Sequence, residues 1–253
     1  MHEPAVMDKN DKKFLEKVRS KVAKAVEDYG LIRPGDKILV ALSGGKDSMA
    51  LLDALHNRRR YFGFPYTLEA ATVNLTDVGY PLDARRIENF CRERSIPWHF
   101  IEDPVVITDG KKHPCFYCAW NRRRLLFEYA YSNGFNKVAF GHNRDDAVET
   151  FLMNMIYHAE ASAFPARLPM FDGKVEIIRP FLYVSNAESE RYMRLLDYQP
   201  VPYNCPYTAD NDREKFRRLL PVLYGIHPNA LQNIFEAMHR LNPEYLPRRI
   251  NKD

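Results

Sequence analysis

The sequence predicts an α/β fold, a doubly wound and mostly parallel sheet with flanking N- and C-terminal helices. Three observations carry this. An apolar run, Ile38-Leu39-Val40-Ala41-Leu42, ends at Ser43 and two glycines, then passes into Met49, Leu52 and Leu55 at helical spacing. That is the pattern of a buried strand, a tight turn and a helix. A second short apolar stretch over 137–140 leads into a polar loop, Gly141-His142-Asn143-Arg144-Asp145-Asp146, and another helical segment. Elsewhere, strand-length and helix-length segments alternate, which favours a parallel sheet.

In chain order, Phe14, Val18, Val22 and Val26 recur at four-residue spacing and predict an amphipathic helix over 9–29, stopped by Gly30. Pro34-Gly35 turns the chain into the first strand, and the helix after the glycine turn runs to about Arg60. A strand over 67–74, a helix from Pro81 through Arg94 and a strand over 98–101 follow. A helix over 120–132 ends at Asn133-Gly134, and another covers 147–157. From 161 to 180 the chain reads as proline-bearing loop with one strand over 175–178. Ser185-Asn186-Ala187-Glu188 is a capping box opening a helix to about Tyr198. Pro200, Pro202 and Pro206 hold an extended segment around Cys205, and helices over 212–220 and 229–241 finish the chain. The division expected is an N-terminal helical segment (1–34), a nucleotide-binding domain (35–184) and a C-terminal helical segment (185–253).

The 253 residues, 45% hydrophobic and 28% charged, have the make-up of an ordinary globular protein. No apolar run approaches the ~20 residues of a membrane span. Residues 1–13 lack the apolar core of a secretory leader. The expectation is a cytoplasmic protein with no membrane partner. Net charge is +4, but arginines cluster at 58–60, 122–124, 217–218 and 248–249. Such runs are either a phosphate-binding footprint or solvated helix surface. Four cysteines in such a chain point to a metal or redox site in preference to structural disulfides.

The turn Ser43-Gly44-Gly45-Lys46-Asp47-Ser48 suits a phosphate. Its amides and the following helix N-terminus face one point, and Lys46 adds a positive charge. The plainer alternative is a glycine turn that merely joins strand to helix. A Walker A loop is ruled out, because Val40 stands where its first glycine belongs and Asp47 follows the lysine. No Gly-x-Gly-x-x-Gly fingerprint occurs. In a doubly wound sheet the loop at 141–146 emerges beside this turn, beyond the carboxyl ends of the strands. One of Asp145 and Asp146 is expected to hold Mg²⁺ while the other caps the helix. Asp145 is the preferred metal ligand and Asp47 a second. Asn74, ending the second strand, is expected to meet the nucleoside.

Cys115-Phe116-Tyr117-Cys118 is a Cys-x-x-Cys pair, and Cys205 stands far along the chain. A redox pair, a structural zinc completed by Cys91 or a histidine such as His113, and an iron–sulfur cluster on three cysteines all fit. Spacing alone does not choose among them. Cys91, between Phe90 and Arg92 in a helix, reads as a core thiol.

The string at 43–48 resembles the PP-loop of ATP pyrophosphatases, which split ATP between the α- and β-phosphates and transfer AMP to a substrate oxygen. With Cys115-x-x-Cys118, the loop at 141–146, Ile178-Arg179-Pro180 and Cys205 in this order, the chain is similar to the TtcA family of tRNA 2-thiocytidine synthetases from about Asp28 to Leu246. The resemblance implies an adenine nucleotide alpha hydrolase-like fold and a tRNA sulfurtransferase. ATP would be bound through Ser43, Gly44, Gly45, Lys46, Asp47, Ser48, Asn74, Gly141 and His142. Mg²⁺ would sit on Asp47 and Asp145, and a 4Fe-4S cluster on Cys115, Cys118 and Cys205. Catalysis would involve Asp47, Asp145 and the three cysteines. The implied partners are tRNA and a sulfur donor, either free sulfide or one derived from a cysteine desulfurase, with a homodimer as the assembly allowed for. One departure is Asn143, where TtcA sequences usually carry histidine; Gly-His-Asn is closer to the TtuA-type tRNA 2-thiouridine synthetases. Three other functions stand beside this one: a TtuA-like 2-thiouridine synthetase, a PP-loop ligase on a small molecule with a structural zinc, and a non-catalytic nucleotide- or RNA-binding protein.

Overall fold

The protein is described by a computed structural model over residues 7–78, 82–107, 114–200 and 212–247. In chain order the elements are α1 (Lys9–Asp28), β1 (Lys37–Ala41), α2 (Lys46–Arg58), β2 (Thr67–Leu75), α3 (Ala84–Glu93), β3 (Trp98–Asp103) and α4 (Pro114–Ser132). These are followed by β4 (Lys137–Ala139), α5 (Arg144–His158), β5 (Arg167–Met170), β6 (Val175–Ile178), α6 (Asn186–Leu195), α7 (Asp212–Ile226) and α8 (Ala230–Ala237).

Six strands form one sheet in the order β3-β2-β1-β4-β6-β5, parallel except for the β5–β6 pair. The chain leaves β1 through α2 toward β2 on one side, while β4 pairs on the other. The carboxyl ends of β1 and β4 therefore flank the point where strand order reverses, which is where open α/β sheets bind ligands.

Burial on both faces explains the continuous apolar runs in the central strands. Ile38 and Val40 turn to one face, with α1, α2, α3 and α6 packed over it. Leu39, between them, turns to the other, against Leu126, Phe127 and Ala130 of α4. The helices of the first layer are joined by Asp53 of α2. Its carboxylate accepts from Arg94 (2.7 Å), Arg19 (3.1 Å), Asn57 (3.1 Å) and the Tyr192 hydroxyl (2.5 Å).

Several boundaries differ from expectation for local reasons. Pro81 lies outside the described residues, and α3 starts at Ala84, where Asp83 accepts from the Arg86 amide at 3.0 Å and caps the helix. Helix α4 begins at Pro114, ahead of the cysteine pair and not after it, with proline in the first turn, where its missing N–H costs nothing. A strand unforeseen in the loop at 161–180, β5, pairs at the sheet edge, the one place a strand carrying Pro169 is tolerated. Helix α7 runs on through Pro221 to Ile226. The expected extended segment around Cys205 falls in 201–211, outside the described residues.

The chain divides into two compact units. One lies within Met1–Asn143 and Pro165–Asn211 and holds the sheet together with α1, α4 and α6; the other lies within Arg144–Phe164 and Asp212–Asp253 and holds α5, α7 and α8.

Candidate active site

The turn after β1 and the loop after β4 line a cavity of about 280 Å³ in the first unit. Ser43, Gly45, Asp47 and Ser48 come from the turn, and Gly141 and His142 from the loop. Arg122, Arg123 and Leu126 of α4, Thr72 and Val73 of β2, and Leu82 close the sides. The turn and loop give the cavity a polar lining, α4 adds the two arginines, and Val73, Leu82, Leu126 and Phe140 supply apolar wall.

The turn is shaped by its glycine and serines. Gly44 sits at φ +76°, in the left-handed region that glycine takes without strain, and its carbonyl accepts from the Tyr198 hydroxyl at 2.9 Å. Gly45 is the N-cap of α2 and supplies no side chain to its orphan amides, which leaves them for a ligand. Ser48 Oγ donates to the Gly45 carbonyl at 3.0 Å and accepts from the Ser43 amide at 3.2 Å, while the Gly45 amide donates to Ser43 Oγ at 3.3 Å. The two serines thus brace the turn from inside.

Lys46 Nζ donates to both oxygens of Asp47, at 2.8 and 2.9 Å, and to the Asn186 side chain. Asp47 Oδ1 also accepts from Asn143 Nδ2 at 3.2 Å. The asparagine that departs from the usual family residue therefore has a function here: it supports the cavity's carboxylate. Gly141 is required by space. A Cβ there would stand 2.8 Å from Asp47 C and Ser48 N, inside any real contact.

His142 lies beside Phe140, with ring centroids 5.7 Å apart. Its Nδ1 accepts from Arg179 Nε at 3.3 Å, and Arg179 also donates to the Pro165 carbonyl. Burial, reinforced by the charge of Arg123, lowers the Arg179 pKa to about 10.

Helix α4 carries the cysteine pair. Cys115 and Cys118, both half-buried, stand three residues apart on one face at its start. Cys118 precedes the cavity-lining Arg122 by one turn. Asn121, whose role sequence reasoning missed, is fully buried and binds the start of α4 to the chain beyond β3. It accepts from the Val106 amide at 3.1 Å and donates to the Val106 and Tyr117 carbonyls at 2.9 Å. Nothing in its local pattern separates it from a surface asparagine. Arg124, unlike Arg122 and Arg123, does not line the cavity; Asp103 and Glu128 pair with it at 3.3 and 2.9 Å. Cys91 is buried, and burial pushes its thiol up to about 12, which suits a core thiol and not a ligand. Among the described residues no three of His, Cys, Asp or Glu gather as a metal site. Cys205 lies outside them, as does His113.

Asn74 does not line the cavity; its amide donates to Glu102 on β3 at 2.9 Å. Asp145 belongs to the second unit, where its carboxylate pairs with Arg144 at 3.0 Å. Arg144 in turn donates to Gln232 (2.8 Å) and the Tyr224 hydroxyl (3.0 Å). Both Asp145 and Asp146 sit in the first turn of α5, where carboxylates are favoured by the helix dipole.

The chain matches the PP-loop domain family over residues 14–221. A tRNA-cytidine(32) 2-sulfurtransferase of Stenotrophomonas maltophilia (strain K279a) is 33% identical over 251 residues, covering 96% of this chain and 81% of that protein. One from Xanthomonas campestris pv. campestris (strain 8004) is 34% identical over 244 residues, covering 94% and 80%. Among solved structures, the U34-tRNA thiolase NcsA from Methanococcus maripaludis, with its 4Fe-4S cluster, superposes with a TM-score of 0.73 at 23% identity, over 95% of this chain and 82% of that one. That likeness speaks to the fold. The chain belongs to the PP-loop domain family and, within it, to the TtcA family of tRNA-cytidine(32) 2-sulfurtransferases.

Proposed function

We propose that this chain is an ATP-dependent tRNA sulfurtransferase acting on cytidine in the anticodon loop. The observation that carries the proposal is the proximity of two chemistries in one unit: Cys118 stands one helical turn from Arg122, and Arg122 shares a cavity with the phosphate-binding turn.

A base carbonyl does not surrender its oxygen until that oxygen becomes a good leaving group. In the proposed reaction the C2 oxygen attacks the α-phosphate of ATP, the bond to the β-phosphate breaks and pyrophosphate departs. Sulfide then attacks C2, the C–O bond breaks and AMP leaves, so oxygen is exchanged for sulfur with no net redox change. The uncapped amides of α2 and the helix dipole hold the phosphates, with Lys46 adding charge. Asp47, lining the cavity, is the carboxylate for Mg²⁺. The apolar walls at Val73, Leu82 and Leu126 suit a purine and exclude water.

The half-buried thiols of Cys115 and Cys118 fit a soft metal better than the buried Cys91 does, and Cys205 is the third ligand of the proposal. Cys115, Cys118 and Cys205 would hold a 4Fe-4S cluster, which on three thiolates would leave one iron open to an exogenous sulfur. The sulfur donor is proposed to be sulfide or a cysteine desulfurase product. The compartment proposed is the cytoplasm; among the described residues no helix is long and apolar enough to cross a membrane.

Iron and labile sulfide content after anaerobic purification tests the reading. Iron and sulfide in a cluster ratio, lost in Cys205→Ala without loss of fold, are expected. Zinc at about one per chain with no sulfide would favour a ligase with a structural metal.

A further inference from the structure

We propose that Arg179 fixes His142 in the tautomer protonated at Nε2, which makes the ring a hydrogen-bond donor in the nucleotide cavity and not a general base. The inference rests on the ATP-site reading and extends it to a positioning residue outside the cavity lining.

A guanidinium has donors only, so the contact from Arg179 Nε to His142 Nδ1 at 3.3 Å requires a lone pair on Nδ1. An imidazolium has none. The ring is therefore neutral and its proton lies on Nε2. With Nδ1 engaged and Nε2 protonated, no lone pair is left to accept a proton from a substrate. The ring lines the cavity between the phosphate-binding turn and α4, so what it offers there is one N–H. A phosphate oxygen is an acceptor that such a donor serves.

Arg179 is held for this task. It follows β6, beside β4 in the sheet, so the two strands that end at Arg179 and at the His142 loop set the spacing between them. Its donation to the Pro165 carbonyl fixes the guanidinium plane, and Phe140 lies along the imidazole. Arg123, which lines the cavity, adds a positive charge that favours an anion within it.

Protein labelled with ¹⁵N-histidine tests the assignment directly, with the His142 signals identified by their absence in His142→Gln. Wild type is expected to show Nδ1 as an unprotonated nitrogen and Nε2 as a protonated one. Arg179→Gln, whose amide still donates, is expected to keep that signature, and Arg179→Met to give a tautomer mixture. Affinity for α,β-methylene ATP with Mg²⁺, measured by calorimetry without tRNA, supplies a second readout. Arg179→Met is expected to bind about tenfold more weakly. His142→Gln, whose amide nitrogen overlays Nε2, should stay within about threefold of wild type, and His142→Asn should lose about tenfold. A wild-type ring protonated at Nδ1, an Arg179→Met protein with unchanged shifts and affinity, or a better binder in His142→Asn than in His142→Gln would overturn the inference while the ATP site stands. If Arg179→Met does not fold, the wild-type and Arg179→Gln spectra decide. Wild type that binds no analogue would overturn the ATP site and this inference together.

Discussion

Gly141 and Ser48 meet backbone to backbone, so closely that a methyl group on residue 141 would lie 2.8 Å from the Ser48 amide nitrogen. The loop after β4 is thus seated directly on the first turn of α2. Gly141→Ala must push that loop off the turn or distort the amides proposed to hold phosphate. Overpacking of this kind costs about 1–3 kcal/mol. The expected result is a lowered melting temperature and ATP-analogue affinity reduced by about tenfold or more. Unchanged affinity would mean that the loop does not set the turn.

Asp53 is the ionic centre of the helical layer behind the turn. Burial raises its pKa, but the charge of Arg94, the Tyr192 hydroxyl and Arg19 outweigh that and hold the carboxyl below its ordinary value. A depressed folded-state pKa contributes stability above the unfolded value, and that stability is lost as pH falls through the folded one. Chemical denaturation below about pH 4 should therefore show a steep fall in wild type and a shallower one in Asp53→Asn. Asp53→Ala, which takes the buried carboxylate from the half-buried guanidiniums of Arg19 and Arg94, should cost roughly 3 kcal/mol at neutral pH.

Glu149 of α5 has the opposite sign. Burial pushes its carboxyl up to about 7, against the lowering effect of Arg213 and Arg217, with Arg213 Nε 3.1 Å away. A carboxyl raised on folding is a cost wherever the unfolded chain is ionised. Unfolding of the wild type should therefore become easier between about pH 4.5 and 7 and level off above, and Glu149→Gln should flatten that slope. An unaltered slope in the variant would assign the dependence to another group.

The three arginines after the cysteine pair are not equivalent. Arg122 and Arg123 line the cavity, whereas Arg124 is paired with Asp103 and Glu128. Reversing charge at Arg122 and Arg123 should weaken ATP-analogue binding, weaken tRNA binding and lower its salt dependence by about one counterion per lost phosphate contact. Arg124→Glu should change stability more than tRNA affinity. Filter-binding assays across a salt series separate the two.

The turn at 43–48 was legible because its chemistry lies in contiguous backbone: glycines, a helix start and a lysine leave few alternatives. The strands beside it were legible because double-sided burial makes Ile38 to Leu42 uniformly apolar. What escaped depends on partners distant in sequence. Pro169 argues against a strand until an edge is available, and Asn121 looks like any polar helix residue until Val106 meets it. The pairing of Asp145 with its neighbour Arg144 is likewise not written in the local pattern. The hydrogen bond of Asn74 to Glu102 follows from the parallel register with β3, which local sequence does not give.

If the nucleotide cavity and the thiols of α4 act together on a tRNA base, nucleoside analysis of tRNA from cells with and without this protein reads the outcome. 2-Thiocytidine is expected to disappear without the protein and to return with the wild type but not with Cys118→Ala. A nucleoside profile unchanged by loss of the protein would refute the joint action of cavity and thiols.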